Sequence, residues 1–403
     1  MFKKKLMAGL LGTAMVASML TGCGAASDTA SDDTAATTEA TTAAAATDDT
    51  SDDASSDDAA DDSSDDAADT ADAGGKKVGI AMPTKSLERW NRDGSYLEEQ
   101  FKSKGYEVSL TYSDNKIDQQ VKDIEGLIAD DVDLLVIAAI DGESLTQVLA
   151  DAKEENIPVI SYDRLIMNTD AVSYYVSFDN YTVGKLQGEF VRDQLDLDNA
   201  KGPFNIEIFT GDPGDNNAKF FYQGAYDVIK PYIEEGKLVV KSGQKEFDKV
   251  ATPEWKTDNA QARMDAIIAA NYADGTKLDA VLCSNDSTAL GVTNSLEANY
   301  EPNHPDDWPI ITGQDCDKPN VKNMINGKQS MSIFKDTREL AAQTVKMVDA
   351  VMKGGEAPIN NEKDYDNGTG VIPTYLCEPQ FADSKNYKTL LIDSGYYTED
   401  DLK

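Results

Sequence analysis

Histidine and cysteine are scarce in this chain, which has one histidine and four cysteines among 403 residues. The histidine, His304, stands in the proline-flanked loop 302–305. A Ser-His-Asp or Cys-His arrangement would have to be built on that loop, which is a poor place for a general base. Cys283, Cys316 and Cys377 fit no zinc-binding spacing. These shortages argue against nucleophilic catalysis and against a zinc centre.

The same three cysteines make a poor disulfide framework, because an odd number cannot pair completely. Cys283 lies in the apolar run 280–284. That run has the pattern of a buried strand, in which cysteine acts as a small hydrophobic residue. A disulfide between Cys283 and Cys316 stays open as an alternative.

Basic residues are outnumbered: 37 lysines and arginines stand against 73 aspartates and glutamates, and the formal net charge is −36. The segment 24–75 has no lysine or arginine and carries 15 aspartates and one glutamate among alanine, serine and threonine. Residues 76–403 still carry a charge of −23. An acidic body without basic runs argues against nucleic acid and against anionic lipid bound through surface charge.

The amino terminus has three lysines at 3–5 and then an apolar run over 6–20. This run is too short to span a membrane and predicts a secretory signal. It ends in Leu20-Thr-Gly-Cys23, which resembles the lipobox of bacterial lipoproteins. We expect residues 1–22 to be a lipoprotein signal peptide and Cys23 to carry the lipid. The alternative is an ordinary signal peptide with a chance cysteine. Residues 23–75 would be a disordered acidic tether, since nothing in them can bury a core.

Short apolar runs alternate with amphipathic stretches over residues 76–403. In 116–130, for example, Ile117, Val121 and Ile124 recur at helical spacing. Apolar strands joined by helices are typical of a parallel sheet covered on both faces, and ten or so strands suit two domains. The predicted strands are Lys77–Met82, Glu107–Tyr112, Asp133–Ala139, Ile157–Tyr162, Ser173–Phe178, Phe204–Phe209, Lys237–Lys241, Asp279–Ser284, Pro309–Gly313 and Ser330–Phe334.

Polar side chains follow these strands at the carboxyl ends, where open parallel sheets bind ligands. Six strand ends carry them: Arg89-Trp90, Asp163-Arg164, Asp215-Asn-Asn217, Asn285-Asp286, Gln314-Asp315 and Lys335-Asp336. Each has a structural alternative, such as a helix cap for Asn216 or Asn285 and a surface ion pair for Asp163 with Arg164. Six such ends at one edge of a sheet predict a single site.

The chemistry of this set suits a neutral polyol. Carboxylate and amide oxygens accept hydrogen bonds from hydroxyl groups, whereas arginine, lysine and amide nitrogens donate to them. The flat C–H face of a pyranose needs an aromatic partner, and Trp90 and Trp255 are candidates, although Trp255 also suits a core position. Segment 211–214 lacks the lysine and the spacing of a phosphate loop, and 196–199 lacks the pattern of a calcium loop. We expect neither cofactor nor metal.

Seven short stretches stand in a recognisable order along residues 76–403. They are Ala81-Met-Pro-Thr84 with Arg89-Trp90, Val159-Ile-Ser-Tyr-Asp-Arg-Leu165, Tyr174-Tyr-Val-Ser-Phe-Asp-Asn180, Asp215-Asn-Asn-Ala218, Gln261-Ala-Arg-Met-Asp265, Gly313-Gln-Asp315 and Ile333-Phe-Lys-Asp-Thr-Arg338. Together they resemble the type I, periplasmic-type sugar-binding proteins of ABC importers. Within this family the likeness is to the xylose-binding and, more closely, the multiple-monosaccharide-binding proteins.

The resemblance implies an α/β fold of two Rossmann-like lobes with parallel sheets, joined by three hinge strands and closing over the sugar. Residues 76–178 with about 336–370 would form the N-terminal lobe, and 179–335 with about 371–403 the C-terminal lobe. Asn180 would cap a helix near the hinge. The family's ligand contacts map onto Arg89, Asp163 and Arg164 in the first lobe, onto Asp215, Asn217, Asn285, Asp315 and Lys335 in the second lobe or hinge, and onto Trp90 and Trp255 at the ring faces.

These features predict a lipid-anchored solute-binding protein at the extracellular face of the cell membrane. It would capture an aldopyranose of the xylose, glucose, galactose or arabinose type and deliver this monosaccharide to the permease of an ABC importer. The alternative is a sensory protein that signals to a chemoreceptor or sensor kinase. An enzyme with Asp163 and Asp315 as acid and base is disfavoured by the lack of a site histidine. We expect a monomer that touches the membrane only through its lipid and binds no nucleic acid.

Overall fold

Strands and helices alternate along residues 74–403, the part of the chain that the structure, a computed structural model, describes. The predicted signal peptide, Cys23 and the tether up to residue 73 lie outside the described residues. The strands are β1 (Lys77–Met82), β2 (Glu107–Tyr112), β3 (Leu134–Ile137), β4 (Val159–Tyr162), β5 (Val172–Phe178), β6 (Phe204–Phe209), β7 (Leu238–Val240), β8 (Ala280–Cys283), β9 (Ile310–Ile311), β10 (Met331–Phe334), β11 (Thr374–Cys377) and β12 (Gln380–Asp383). The helices are α1 (Glu88–Ser103), α2 (Ile117–Ala129), α3 (Thr146–Glu154), α4 (Asn180–Gln194), α5 (Asn216–Glu234), α6 (Phe247–Val250), α7 (Thr257–Asn271), α8 (Asp286–Asn299), α9 (Lys318–Ile325) and α10 (Thr337–Met352).

The first sheet holds six parallel strands in the order β11-β5-β4-β3-β1-β2. Alternate residues of β1 enter different cores: Ile80 packs with α1 and α10 on one face, and Ala81 packs with α2 and α3 on the other. Strands buried on both faces need apolar side chains at every position, which explains their continuous apolar runs. The predicted α/β fold with a parallel sheet is confirmed.

The second sheet holds four parallel strands in the order β7-β6-β8-β9. Strand β10 joins its edge through a parallel bridge between Gln314 and Ile333, and β12 pairs antiparallel with β10. Strand β9 is shorter than the predicted 309–313. Beyond the end of β9, the side-chain hydroxyl of Thr312 contacts the backbone of β8. It accepts from the amide of Cys283 and donates to the carbonyl of the same residue.

The last strand of the first sheet comes from late in the chain, because β11 pairs with β5 through a register that sets Thr374 opposite Tyr175. This placement differs from the division expected from the sequence, in which residues from about 371 onward joined the second lobe. Of the late strands, only β12 lies with the second sheet.

Helices α4 and α5 cross at very short range, which places the amino terminus of α5 at the carboxyl end of β6. A Cβ atom on Gly184 would lie 2.0 Å from the carbonyl oxygen of Phe221, and one on Gly224 would lie 2.1 Å from that of Tyr181. Two glycines therefore permit a separation that no larger residue allows.

Two smaller expectations, a helix cap and a disulfide, are decided by the same structure. Helix α4 is capped by the carboxylate of Asp179, which accepts from the amide of Thr182 at 3.0 Å. The expected cap, Asn180, is the first helical residue and lies buried instead. Cys283 and Cys316 are free, buried thiols, as is Cys377. Within residues 74–403, no helix combines the length and apolar character needed to cross a bilayer.

Candidate functional site

One cavity is lined by all ten side chains that the sequence predicts as ligand contacts. About 420 Å³ of space outside protein atoms lies within it, part of which is open to solvent. The ten are Arg89, Trp90, Asp163, Arg164, Asp215, Asn217, Trp255, Asn285, Asp315 and Lys335. Nine of them follow the carboxyl ends of strands in both sheets, because those ends face a common space. Trp255 comes from the turn between α6 and α7.

Arg89, the second residue of α1, is buried among three carboxylates. Its guanidinium pairs with Asp163 through one nitrogen, donates to Asp93 at 3.2 Å and lies 3.6 Å from a carboxylate oxygen of Asp315. Burial acts to lower the pKa of Arg89, but the carboxylates outweigh it and raise that pKa. Burial likewise acts to raise the pKa of Asp163, and Arg89 with other cations lowers it overall. Both groups are therefore held in their charged forms.

The backbone of Asp163 is held in the left-handed region with φ of 60°, a conformation that aspartate tolerates better than most residues. Its carbonyl oxygen accepts three hydrogen bonds, from the hydroxyls of Tyr175 and Ser177 and from the amide nitrogen of Asn217. These bonds come from β5 and from α5, so both sheets contribute to fixing Asp163.

Arg164 and Asp215 form a second buried ion pair. Nε of Arg164 lies 3.0 Å from Oδ2 of Asp215, and its other contacts are the carbonyls of Ala139 and Ile140 at 3.0 and 3.2 Å. The indole of Trp255 also donates to Asp215, at 3.1 Å. Burial raises the pKa of Asp215, and Arg164 opposes the rise.

The predicted alternative of a surface ion pair between Asp163 and Arg164 is wrong. Both side chains are buried, with exposed fractions of 2% and 6%. Each takes a different partner, Arg89 and Asp215 respectively.

Lys335 supplies a third buried cation. Its Nζ lies 3.1 Å from Oδ1 of Asp315 and over the rings of Phe178 and Phe221 at 5.7 and 5.5 Å. The geometry of the contact with Asp315 is not that of a hydrogen bond, and Oδ1 accepts none from the described residues. Asp315 therefore keeps acceptor capacity on the cavity side.

Asn216 and Asn285, the two asparagines for which the sequence offers a helix cap as the alternative, differ in their local roles. Asn285 caps α8, because its side-chain oxygen accepts from the amide of Thr288 at 3.0 Å. The predicted capping role is confirmed for Asn285, and the same residue also lines the cavity. Asn216 is not a cap: the carboxylate of Asp215 caps α5 by accepting from the amide of Asn217 at 2.9 Å.

The two tryptophans lie in different surroundings. The ring of Trp90 is flanked by the guanidinium carbons of Arg89 and Arg164 at 4.9 and 5.0 Å. Trp255 packs edge-on against Phe221, with ring centroids 6.1 Å apart. Both indoles are almost fully buried, at 3% and 5% exposed. Trp255 thus meets both descriptions offered by the sequence, as a packed residue and as part of the cavity wall.

Close packing against a glycine holds Trp255 in place. A Cβ atom on Gly211 would lie 1.9 Å from the indole ring. The turn that delivers the indole has positive φ at Glu254 and Trp255, 59° and 54°. The strained turn at Glu254 and Trp255 and the lack of a side chain at Gly211 together determine the position of the Trp255 indole.

Five further residues line the cavity. Leu87, Phe221, Ser287 and Asp317 were not predicted, and Gln314 was placed at a polar strand end but not among the ligand contacts. Phe221 follows Asn217 by four residues on α5, so helical spacing puts both on one face. Gln314 and Asp317 flank Asp315 in the loop after β9. Their closeness in sequence to predicted residues could have indicated these positions. For an apolar helical residue such as Phe221, however, the sequence pattern suits a core position equally well.

The cavity wall thus contains three cations and four carboxylates, those of Asp163, Asp215, Asp315 and Asp317, with amides and two indoles between them. Charged groups can be buried when each is paired and hydrogen-bonded. Such a surface offers both donors and acceptors to a neutral ligand. Within residues 74–403, no three histidine, cysteine, aspartate or glutamate side chains are grouped to hold a metal ion.

Two parallel sheets with one polar cavity at their carboxyl ends define a binding protein of the α/β class. A family model described as the periplasmic binding protein domain matches residues 78–356. The chain belongs to this family, which confirms the resemblance seen in the sequence. It is a binding protein and not an enzyme, as predicted.

Known proteins of this kind resemble the chain over most of its length. It is 50% identical over 328 residues, 81% of this chain and 91% of the relative, to the multiple sugar-binding periplasmic protein SbpA of Azospirillum brasilense. It is 32% identical over 326 residues, 81% and 92% of the two chains, to the D-xylose-binding periplasmic protein of Haemophilus influenzae. The higher identity to SbpA agrees with the predicted branch.

A solved structure shows the same fold. The ABC transporter solute-binding protein from Clostridium phytofermentans, with bound β-D-glucose, is 68% identical. The match covers 81% of this chain and 100% of that chain, with a TM-score of 0.80.

Proposed function

We propose that this chain binds an aldopyranose monosaccharide in the cavity and delivers it to the permease of an ABC sugar importer. The observation that carries the proposal is the set of ion-paired cations and carboxylates that lines the cavity beside two indoles. The printed descriptions of the relatives, a multiple sugar-binding protein, a xylose-binding protein and a glucose-bound solute-binding protein, support it.

Each kind of wall residue suits one part of a pyranose. Asp315 has an unused acceptor for a hydroxyl, while Arg89 and Lys335 donate. The indoles of Trp90 and Trp255 suit the C–H faces of the ring. Charge-assisted hydrogen bonds are stronger than neutral ones, so these side chains suit the recognition of hydroxyl positions.

Ligand capture proceeds by lobe closure in this proposal. One lobe is formed by residues 76–178 and 336–377, and the other by 179–335 and 378–403. This division follows the two sheets and modifies the boundaries expected from the sequence at β11. Because wall residues come from both sheets, the sugar gains its full set of contacts only when the lobes approach, and it shifts the equilibrium toward the closed form.

The location proposed is the extracellular face of the cell membrane, with the protein held by a lipid on Cys23. The signal sequence and the lipobox-like Leu20-Thr-Gly-Cys23 support it. Stable anchoring takes two acyl chains, which a diacyl-modified cysteine supplies. A monomer suffices, because the binding site is built within one chain.

Isothermal titration of the purified protein with D-glucose, D-galactose, D-xylose, L-arabinose, D-ribose and one disaccharide tests the ligand class. We expect one-to-one binding of one or more aldopyranoses. Binding of several indicates the multiple-sugar type, and binding of xylose alone indicates the xylose type. Small-angle scattering in the same samples tests closure, since the radius of gyration should fall when sugar binds.

Asp163→Asn and the exposed Asp248→Asn make a matched pair for this titration. The first removes a buried charge that pairs with Arg89 and should weaken binding strongly, while the second should bind as the unaltered protein does. Absence of heat with every sugar would contradict the ligand class, and equal affinity of the two variants would contradict the site.

A further inference from the structure

Arg92, one helical turn after Arg89 on α1, is buried in a second cluster outside the ten predicted residues. Its guanidinium lies 3.0 Å from Oδ1 of Asp317 and donates to the hydroxyl of Tyr397 at 2.7 Å. It also pairs with Glu88 at 3.0 Å on its own helix. The side chain is only 12% exposed although it carries a full charge.

Two aromatic rings complete the surroundings of this cation. The guanidinium carbon lies 5.3 Å from the ring centroid of Tyr396 and 5.7 Å from that of Tyr397. The hydroxyl of Tyr397 accepts from Arg92 and itself donates to the carbonyl of Cys316 at 2.9 Å. We call the group formed by Asp317, Tyr396 and Tyr397 the arginine socket.

The arginine and its socket belong to different sheets. Helix α1 packs with α10 against the first sheet. Tyr396 and Tyr397 pack with Cys316 and Phe334 in a core of the second sheet. The contact therefore spans the division between the two proposed lobes.

The socket also borders the binding cavity. Asp317 lines that cavity and stands two residues after Asp315, whose backbone has φ of 94°. Arg92 holds the loop 315–317 at two points. It pairs with Asp317, and it donates to Tyr397, which in turn donates to the carbonyl of Cys316. Movement of α1 away from the second sheet would break the contacts of Arg92 with Asp317 and Tyr397 together.

We infer that Arg92 is a positioning residue for ligand binding, which clasps the two sheets together at the edge of the cavity and thereby slows release of the bound ligand. This inference rests on the proposed function. Arg92 does not line the cavity, so its effect comes through the socket and not through contact with sugar. Its interactions form only when the lobes meet, whereas those within α1 persist in either state.

Removal of one partner of a buried charge pair leaves the other unpaired and acts mainly on dissociation. In Arg92→Gln we expect the dissociation rate of D-glucose, followed by tryptophan fluorescence in a stopped-flow instrument, to rise roughly 10- to 100-fold. The association rate should change by less than about threefold. Arg92→Lys keeps the charge and should recover part of the loss. Arg192→Gln is the matched control and should leave both rates unchanged, because this half-buried, ion-paired residue of α4 lies outside the cavity and the socket.

Tyr397→Phe provides a second route if Arg92→Gln does not fold. It removes the hydroxyl that joins Arg92 to Cys316 and should raise the dissociation rate by a smaller factor. An unchanged dissociation rate in the folded Arg92→Gln protein, or in Tyr397→Phe where that is the variant measured, would overturn the inference.

Scattering without sugar separates this inference from the proposed function. The sugar-free protein exchanges between open and closed forms, and the clasp forms in the closed one. Arg92→Gln should therefore lower the closed fraction and have a larger radius of gyration than the unaltered protein. If the unaltered protein binds no sugar in the titration, the proposed function fails by itself. The clasp is then judged by scattering alone, and an unchanged radius of gyration would overturn it.

Discussion

Arg164, at the end of β4 in the first sheet, reaches Asp215, the cap of α5 beside the second sheet, with 3.0 Å between Nε and Oδ2. The pair joins the two sheets across the cavity wall. The same carboxylate takes the indole N–H of Trp255. One aspartate thus places a cation and an aromatic ring at once, and this explains why polar and aromatic side chains meet in one cavity.

Arg164→Ala should lower sugar affinity by at least about 100-fold, because Asp215 would be left buried without its cation. Titration calorimetry measures the loss, and circular dichroism checks that the fold persists. Normal affinity in a folded variant would show that the pair lies outside the ligand's reach.

Asp315→Asn should weaken binding by roughly 10- to 100-fold, since an amide keeps the shape but offers a weaker acceptor. The buried cations Arg89 and Lys335 would also lose a counter-charge. The exposed Asp248→Asn is the control, with unchanged affinity expected. If the two variants bind alike, Asp315 does not contact the sugar.

Gly211→Ala should reduce affinity without touching the ligand, because the added methyl group would lie 1.9 Å from the indole of Trp255 and force the ring to move. Tryptophan fluorescence should shift as the ring is displaced. Gly126→Ala on α2 is the matched control, since its Cβ would meet nothing within 4 Å. Unaltered fluorescence and affinity in Gly211→Ala would mean that the site does not depend on this ring's position.

Stability of the sugar-free protein should depend on pH through Asp317. Burial raises the pKa of this group from 3.8 to about 6, with Asp315 and Glu88 adding to the rise and Arg92 opposing it. Between pH 4 and pH 6 the native state keeps a proton on Asp317 that the unfolded chain has released. The free energy of unfolding therefore rises as pH falls through that window, and this stabilisation is lost as pH rises through 6. The shift corresponds to at most about 3 kcal/mol.

Thermal unfolding of the unaltered protein and of Asp317→Asn between pH 7.5 and pH 4.5 measures this effect as a difference. Buried carboxylates that do not interact with Asp317, such as Glu207, whose pKa is raised by burial, act in the same direction and cancel in the comparison. The pKa of Asp286 is raised by burial and in part by Asp317, so that part of its effect belongs to the measured difference. As pH falls, the melting temperature of the unaltered protein should rise relative to that of the variant. Parallel curves would contradict the assignment.

Cys23→Ser should release the protein from the membrane fraction of its own cells, because the lipid has no other attachment point in the proposed scheme. Fractionation followed by immunoblotting measures the distribution. A variant that stays with the membrane would contradict lipid anchoring at this cysteine.

The predicted strand ends located nine of the ten cavity residues because of one geometric rule, and Trp255 was chosen for its aromatic ring. Carboxyl ends of parallel strands meet at the same edge of a sheet, so residues scattered from Arg89 to Lys335 come together without any knowledge of the loops. The same reasoning failed at α4, where Asp179 and not Asn180 is the cap, since both residue types suit the position and only the backbone decides between them. It also missed Phe221, which helical spacing places beside Asn217 but which has the character of a core residue.

The amino-acid sequence by itself determined the α/β class, the alternation of strands and helices and the polar chemistry of the strand ends, because these depend on local patterns of side chains. Tertiary structure decided which partners those side chains take. Asp163 pairs with Arg89 and not with its neighbour Arg164, and β11 returns to the first sheet. Arg92 meets Tyr397 across 305 positions of sequence. Pairing at such separations depends on how two sheets pack, and no local pattern carries that information.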